Sequence, residues 1–291
     1  MLGDLFAIIG PVFICAGIGF IWGKQGRHYD VDFVTALMTN IGAPCLIFSV
    51  LSTANLDLAI FGSTAVYAVV TLMVFALIGG VILKIAGADL RAFLPAMMFP
   101  NSGNMGLPLC LLAFGEQGLV LAIVYFTVTA VSQFTVGMMI SSGAVSLKGL
   151  LRIPIIYAVF AAIIFIVFKI ETPAVIANTT HILGGMTIPM MLVTLGVSLA
   201  RLRVAALPRS TALSVLRLTM GFGVGLAMSA VFGLEGMERG ILILQSSMPV
   251  AVFNYLFALR YNRSPEEVAG LVFISTTISF VTLPILLWYV L

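Results

Sequence analysis

Apolar stretches of about 20 residues follow one another along the chain, the length that crosses a bilayer as an α-helix. Charged residues, glycine or proline bound each stretch. The pattern predicts ten helices near residues 3–23, 31–53, 58–86, 91–113, 117–141, 149–169, 173–200, 208–232, 238–259 and 265–290. The first stretch is too long for a signal-peptide core and lacks a basic start, so it is read as a membrane helix. We expect an all-α membrane protein without a soluble domain.

Composition agrees with this expectation. Of the 291 residues, 61% are hydrophobic and 9% are charged, whereas a soluble domain carries about 25% charged residues. The lipid bilayer is therefore the expected surrounding partner. The basic residues lie in short runs between apolar stretches rather than in one patch, so no nucleic-acid partner is expected.

Neither a metal nor a cofactor is predicted. Cys15, Cys45 and Cys110 lie inside apolar stretches without CxxC or Cys/His spacing. His28 and His181 lie in separate predicted loops without a cluster of acids beside them. An intramembrane enzyme would need a nucleophile with its base or paired acids within the membrane, so an enzyme is not expected.

The distribution of Lys and Arg predicts the orientation. With the N-terminus outside, the inner loops hold 11 of the 14 basic residues, which are Lys24, Arg27, Lys84, Arg91, Lys148, Arg152, Arg201, Arg203, Arg209, Arg260 and Arg263. The outer side holds Lys169 and Arg239. Because cytoplasmic loops carry the excess of Lys and Arg, both termini are predicted outside a cytoplasmic (inner) membrane.

Five helices fall in each half of the chain, so the second half enters the membrane with the opposite orientation. Residues 1–147 and 148–291 then form two inverted five-helix repeats. Prolines recur at offsets of 141 to 145 residues between the halves, in the pairs Pro11 and Pro154, Pro44 and Pro189, and Pro108 and Pro249.

The fourth and ninth predicted helices are interrupted. The fourth contains the run PNSGNMGLP from Pro100 to Pro108, which predicts unwinding between Asn101 and Leu107. The ninth contains Gln245–Pro249, followed by Asn254. Broken helices at matching positions of inverted halves predict a crossing with a binding site near the midplane. The alternative is ordinary proline kinks whose carbonyls bind neighbouring Ser and Asn side chains.

The predicted site residues are mostly amides and hydroxyls. The substrate-binding candidates are Asn101, Ser102, Asn104, Gln245, Ser246, Ser247 and Asn254, and the helix-break candidates are Pro108, Pro249, Gly103 and Gly106. No acid lies at the centre of a predicted helix. Half-helices beginning after the two prolines would present free amides and positive dipole ends, which favour an organic anion.

Arg217 is the one charged residue well inside a predicted helix. It is a candidate partner for a substrate carboxylate. The alternative, which we favour from the sequence, is an inner-end arginine that reaches the cytoplasmic headgroups or pairs with a loop acid. In addition, the pairs Gly19/Gly23 and Gly221/Gly225 are GxxxG motifs that predict close helix packing.

The sequence from Asn101 to Leu109, NSGNMGLPL, resembles the auxin efflux carrier family, whose bacterial members carry an N-x-G-x-x-G-L-P run in the fourth helix. Segments around Gly42–Phe48, Thr187–Ala200 and Ser247–Val252 resemble the family in the same order. The resemblance implies two inverted five-helix repeats with broken helices four and nine crossing. It also implies a scaffold of helices 1, 2, 6 and 7, an elevator-like transport domain and a homodimer.

Bacterial relatives are carriers of malonate, malate and other small carboxylates, so the resemblance implies a carrier of a small organic anion by alternating access. Two alternatives remain, a channel-like pore and a sodium-coupled symporter similar to the bile acid symporters. The family's antiporter-like relatives use an aspartate pair at the crossing, which this sequence lacks. Strict sodium dependence is therefore not expected.

Overall fold

The computed structural model describes residues 2–53, 58–143, 153–202 and 207–291. Within these ranges the chain is helical apart from short connections and one isolated bridge. The helices in the first half are α1 (Leu2–Lys24), α2 (Val31–Leu37), α3 (Ala43–Thr53), α4 (Leu58–Ile85), α5 (Leu90–Met98), α6 (Leu107–Ser132) and α7 (Met138–Ser142). Three π-helical turns lie between them, namely π1 (Met38–Gly42), π2 (Ser102–Gly106) and π3 (Gln133–Gly137).

The second half contains only α-helices among its described residues. They are α8 (Pro154–Val167), α9 (Ala174–Gly185), α10 (Thr187–Arg201), α11 (Leu207–Val231), α12 (Gly236–Ser246), α13 (Val252–Arg260) and α14 (Pro265–Val290). Wherever the structure describes them, the ends of the predicted helices agree with the observed ones to within about two residues. The start of the predicted sixth helix, residues 149–152, lies outside the described residues.

Seven helical stretches in the described part of the chain are long and apolar enough to cross a membrane. Seven is fewer than the ten predicted helices because two of the predicted helices are merged, one is short and one is broken. The fourth and fifth predicted helices are counted as one stretch, Ser102–Ser142. The sixth, Pro154–Val167, is short, and the ninth is broken into α12 and α13.

The long stretch is not one straight helix, because the chain reverses at Gly115. Gly115 has φ 66° and ψ −162°, a conformation outside the helical region. A Cβ placed on Gly118 would lie 3.1 Å from the carbonyl oxygen of Cys110. Eight residues of straight helix would separate these positions by about 12 Å. The turn therefore divides α6 into two arms that run back against each other.

Several loops predicted on the inner side meet at one end of the protein. Nε of Arg263 donates to the Ser141 carbonyl at 3.3 Å. Nη1 of Arg201 donates to the Tyr29 carbonyl at 2.8 Å. Distant parts of the sequence that were assigned to the same side of the membrane are thus neighbours, and this end is called the basic end below.

The helices pack in two groups. In the first group, α1 lies along α10, and α3 packs against α8 and α9. In the second group, α11 packs against α12 and α14, while α4 packs against α5 and α6. The first group contains the segments predicted as helices 1, 2, 6 and 7.

Close helix contacts occur at both predicted GxxxG pairs. A Cβ on Gly23 would lie 2.8 Å from the Cβ of Ala200, and one on Gly19 would overlap the Val193 carbonyl, so both face α10. On α11, a Cβ on Gly225 would lie 3.0 Å from the Cα of Ile243 in α12. The prediction of close packing is confirmed, because a larger residue at these positions would force the helices apart.

Candidate functional site

The interruptions of the fourth and ninth predicted helices lie against each other. The amide of Asn101 donates to the Pro249 carbonyl at 2.7 Å, and the amide of Ala251 donates to the Phe99 carbonyl at 3.3 Å. Between these two bonds, Pro100 and Val250 form an isolated antiparallel bridge. Backbone groups that a broken helix leaves unpaired therefore find partners in the other broken helix, as an apolar environment requires.

Each broken helix donates one of these two hydrogen bonds and accepts the other. Donor Asn101 corresponds to donor Ala251, and acceptor Phe99 corresponds to acceptor Pro249; both differences are 150 residues, because 251 − 101 = 249 − 99 = 150. The same offset relates the first residues of π2 and α13, because 252 − 102 = 150. At this offset Pro249 corresponds to Phe99 rather than to Pro108, with which the proline pattern pairs it.

The first break is also shorter than predicted. Residues Ser102–Gly106 are helical, in the turn π2, and the Asn101 carbonyl accepts from the amides of Met105 at 3.3 Å and Gly106 at 3.1 Å. The prediction of unwinding as far as Leu107 was wrong because the residues between the two prolines can all donate backbone hydrogen bonds. The half-helices begin at Ser102 and Val252, so the predicted start after Pro108 is wrong, whereas the second half-helix does begin after Pro249. The amides at a helix start generally lack intrahelical acceptors, although that of Asn254 donates to the Ala251 carbonyl at 3.0 Å.

Each π turn ends at a glycine, and two of them are followed by a proline at the second position. These are π1 before Pro44 and π2 before Pro108. Proline cannot donate the usual helical hydrogen bond, so a π turn that changes the hydrogen-bond register just before it relieves the conflict. π turns occur frequently at functional sites.

A small cavity of about 40 Å³ lies beside the crossing. All three π turns contribute to its wall, as do both breaks. Its lining includes the predicted site residues Asn101, Ser102, Gly103 and Asn104, together with Thr39, Gln133, Phe134, Ala251 and Phe253. The first turns of both half-helices therefore border the same space.

Asn101 carries an unpaired donor in this wall. Its side chain is 3% exposed, and its Nδ2 group has no hydrogen-bond partner among the described residues. A buried amide without a partner costs roughly 1–3 kcal/mol. A ligand acceptor in the small cavity would remove this cost.

A larger cavity of about 240 Å³ continues from the small one. The two share four lining residues, Thr39, Asn104, Met191 and Phe253. The larger cavity also includes Arg201, which belongs to the basic end. It is therefore a vestibule between that end and the crossing, and Asn104 lies where the two spaces join.

A third cavity of about 1050 Å³ has a different lining. It contains polar residues from both groups of helices, which include Glu116, Gln117, Asn178, His181 and Glu238. These residues belong to segments predicted on the outer side, but His181 lies within α9 and not in a loop as predicted. The third cavity shares no lining residue with the other two.

Two asparagines related by the offset of 150 residues have different partners. Nδ2 of Asn254 donates to the Phe99 carbonyl at 3.2 Å, and its Oδ1 accepts from Gln133 Nε2 at 3.1 Å. Asn254 thus binds the carbonyl of Phe99, the residue at which the first break starts after α5. Its counterpart is Asn104, because 254 − 104 = 150. Asn104 is half-buried and lines both the small cavity and the vestibule.

Three other predicted site residues line neither of these cavities. Gln245 is fully buried against Gly106, where a Cβ would overlap its amide group. The Ser246 hydroxyl lies 3.3 Å from the Tyr125 hydroxyl. The Ser247 hydroxyl donates to the Ile243 carbonyl of its own helix at 2.7 Å. These three side chains pack around the crossing, outside the small cavity and the larger one.

Arg217 does not reach the headgroups, so the interpretation that we favoured from the sequence is wrong. The residue is fully buried. Its Nη2 donates to the Ser246 carbonyl at 3.0 Å, and its guanidinium carbon lies 4.7 Å from the centre of the Phe75 ring. Packing of α11 against α12 and α4 encloses it. It lines none of the three cavities described above.

Sequence reasoning missed two polar residues in the wall of the small cavity, Thr39 and Gln133. Gln133 is an amide inside the apolar stretch of the fifth predicted helix, which is a signal that would have identified it. Thr39 carries no such signal, because threonine is common in membrane helices as a helix-packing residue.

Long apolar helices, paired helix breaks and cavities towards both ends are features of a multi-pass membrane transporter. Comparison with known proteins gives the same class. Residues 138–287, just over half of the chain, match the membrane transport protein family. The chain belongs to this family, which includes the auxin efflux carriers.

Its relatives include archaeal and plant proteins. An uncharacterized transporter of Methanothermobacter thermautotrophicus is 27% identical over 284 residues, covering 93% of this chain and 91% of the relative. An uncharacterized transporter of Methanocaldococcus jannaschii is 26% identical over 227 residues, covering 74% and 73%. Auxin efflux carrier component 1 of Arabidopsis thaliana is 30% identical over 131 residues, covering 43% of this chain and 20% of the relative.

Proposed function

We propose that this transporter is a secondary carrier of a small organic anion, a carboxylate, and that the small cavity beside the crossing is its substrate site. The observation that carries the proposal is the convergence of two half-helix N-termini on one space. Each N-terminus is equivalent to roughly half a positive charge. Together they match the charge of one carboxylate group of the substrate, which the first-turn amides can bind.

The side chains in the cavity wall support the same assignment. Asn101 Nδ2 is an unpaired buried donor. Asn104 is half-buried and lines the cavity, whereas its counterpart Asn254 binds the Phe99 carbonyl. A carboxylate accepts several hydrogen bonds and donates none. In this proposal Asn101, Ser102 and Asn104 bind the substrate, while Gln245, Ser246, Ser247 and Asn254 hold the crossing.

The arrangement of cavities supports alternating access. The substrate site continues into the vestibule at the basic end, whereas the cavity at the opposite end shares no residue with it. A carrier open to one side has this asymmetry, while a channel needs a continuous passage. The two packing groups would then act as a scaffold and a moving transport domain in an elevator-like motion.

The sodium-coupled symporter is the second candidate, because backbone carbonyls and side-chain oxygens can bind sodium without an acid. The small cavity offers amide donors in its wall, and neither Asp nor Glu occurs among its described lining residues. Asp32 lines only the vestibule. Hydrogen-bond donors in the cavity wall favour binding of an organic anion over binding of a sodium ion.

The finer architecture is part of the same proposal. It has ten membrane helices in two inverted five-helix repeats, residues 1–147 and 148–291, with both termini outside the cytoplasmic membrane and two copies in a homodimer. The offset of 150 residues between the first residues of π2 and α13, and between Asn104 and Asn254, supports the inverted repeat. The meeting of Arg201 with Tyr29 and of Arg263 with Ser141 supports the common side of the basic loops.

Orientation leads to a labelling prediction. A cysteine that replaces exposed Gln25 should resist a membrane-impermeant maleimide on intact cells and react after the cells are opened, because Gln25 is assigned to the inner side. A cysteine that replaces exposed Glu171 should react in intact cells. The unmodified chain, with Cys15, Cys45 and Cys110, serves as the background control. Labelling with the opposite pattern would contradict the orientation.

Transport of a carboxylate should continue when sodium is replaced by choline. A thermal-shift screen of small carboxylates, including malonate and malate, first selects a substrate, since a ligand at 100 times its Kd stabilises the protein by about 2.7 kcal/mol. Uptake into proteoliposomes is then measured in sodium and in choline at two external pH values. Saturable uptake in both salts is the expected result. Complete loss of uptake in choline would favour the sodium symporter.

A further inference from the structure

The buried cation Arg217 has no part in the substrate site described above. Its guanidinium lies at the carbonyl end of α12, where Nη2 donates to the Ser246 carbonyl at 3.0 Å. The other face lies over the Phe75 ring. Among the described residues, no acidic side chain forms an ion pair with Arg217. A fully buried charge without an acidic partner is costly unless other groups compensate it.

The end of α12 supplies part of this compensation. The last carbonyls of a helix lack intrahelical partners and are equivalent to about half a negative charge. Arg217 binds one of these carbonyls next to the second break, which runs from Ser247 to Ala251. Its Nε and Nη1 atoms have no hydrogen-bond partner among the described residues. The guanidinium therefore keeps an excess of positive charge inside the transport domain.

The other broken helix is held without a charge. The Phe99 carbonyl after α5 accepts from the neutral amide of Asn254 and from the Ala251 backbone. In α4, which precedes α5 as α11 precedes α12, the basic residue is Lys84 in the last turn. Hydrogen bonds from neutral groups thus suffice to hold a break in this fold. The charge at the second break is an additional feature of one half of the chain.

We propose that Arg217 is a positioning residue that holds the carbonyl end of α12 at the break, and that its excess charge increases the affinity of the crossing for anions over neutral solutes. The second effect rests on the proposed function of the small cavity. If a carboxylate binds about 12 Å from the guanidinium, a unit charge with an effective dielectric constant of about 20 changes its affinity roughly ten-fold. The inference therefore predicts an effect on charge selectivity as well as on the break.

The test compares Arg217→Gln, which removes the charge and whose amide ends near the position of Arg217 Nε, too short to reach the Ser246 carbonyl, with Arg217→Lys, which keeps the charge. Arg239→Gln is the matched control, because it removes a charge from the first turn of α12, the helix whose last carbonyl Arg217 binds, and Arg239 there donates to the Tyr289 hydroxyl at 2.7 Å. The full chain is purified in lipid nanodiscs. Hydrogen exchange of the backbone amides of residues 247–254 reports the break, and the binding of malonate and of uncharged malonamide reports selectivity.

In R217Q, exchange in residues 247–254 should be about ten-fold faster and malonate affinity roughly ten-fold lower, with malonamide affinity unchanged. R217K should bind malonate within about three-fold of the parent, since it keeps the charge. R239Q should change neither measurement. Unchanged exchange in R217Q overturns the positioning role. An equal loss for malonate and malonamide overturns the electrostatic role and leaves only a structural effect.

Two further outcomes also decide the inference. If R217Q does not fold, R217K carries the test, and a ten-fold loss of malonate affinity in this charged variant overturns the electrostatic role. If malonate binds neither the parent nor any variant, the proposed function fails for this anion. Hydrogen exchange alone then supports or overturns the positioning role, so the two failures are distinguishable.

Discussion

Replacement of Gly196 by alanine is expected to destabilise the protein by roughly 3 kcal/mol, at the upper end of the cost of overpacking. Gly196 lies in α10 where this helix crosses α1. A Cβ there would overlap the Ala16 carbonyl and would lie 2.6 Å from the Phe20 amide nitrogen. Both contacts are with backbone atoms, which cannot rotate away as a side chain can. The helices would have to separate along their whole contact.

Thermal unfolding and the yield of monodisperse protein after size exclusion would measure this effect. Gly17→Ala is the matched control, since Gly17 lies in α1 and a Cβ there would meet no atom within 4 Å. That variant should keep the stability of the parent or gain slightly from the higher helix propensity of alanine. Equal unfolding temperatures for the Gly196 and Gly17 variants would show that α1 and α10 do not approach as closely as described.

Replacement of Asn104 by leucine is expected to reduce carboxylate affinity more than 30-fold while leaving the protein folded. A hydrogen bond to a charged group contributes about 1.5–3 kcal/mol. Leucine removes the amide and also occupies part of a cavity of about 40 Å³. The Asn104 side chain is half-buried, so the change should alter stability by less than about 1 kcal/mol.

Asn254→Leu provides the contrasting variant, because Asn254 is the counterpart of Asn104 at the offset of 150 residues. Its loss leaves the Phe99 carbonyl without the side-chain donor and Gln133 Nε2 without its acceptor. A stability loss of about 1–3 kcal/mol is expected. Thermal unfolding and substrate binding would be measured for both variants. Loss of stability in N104L with full binding would reverse the assignment of the two asparagines.

Most of the helical framework was predictable from the sequence because the bilayer imposes a length and a polarity on every spanning helix. The predicted second helix, 31–53, coincides with α2, π1 and α3 together. Glycine pairs were also informative, since Gly19/Gly23 and Gly221/Gly225 both lie at close helix contacts. These features depend on residues that are near one another in sequence.

The crossing was predictable only in part. The prolines and amides of PNSGNMGLP located the interruption correctly, but they did not show that π2 is helical or that the half-helix starts at Ser102. The π turn is closed by local bonds to the Asn101 carbonyl, but the Asn101 amide that begins it is held by the Pro249 carbonyl from the other half of the chain. Such bonds between distant segments cannot be predicted from the local sequence.

The sequence by itself determined the class of protein, the positions of the helices and the residues that interrupt them, because hydropathy and proline act locally. Only the tertiary structure decided the role of each polar residue. Asn104 and Asn254 are chemically identical, yet one faces the cavities and the other binds the Phe99 carbonyl. Arg217 could have reached the headgroups, but packing of α11 against α12 encloses it. In an apolar interior each polar group must take the partner that packing brings within reach, and for Asn254 and Arg217 that partner is distant in sequence.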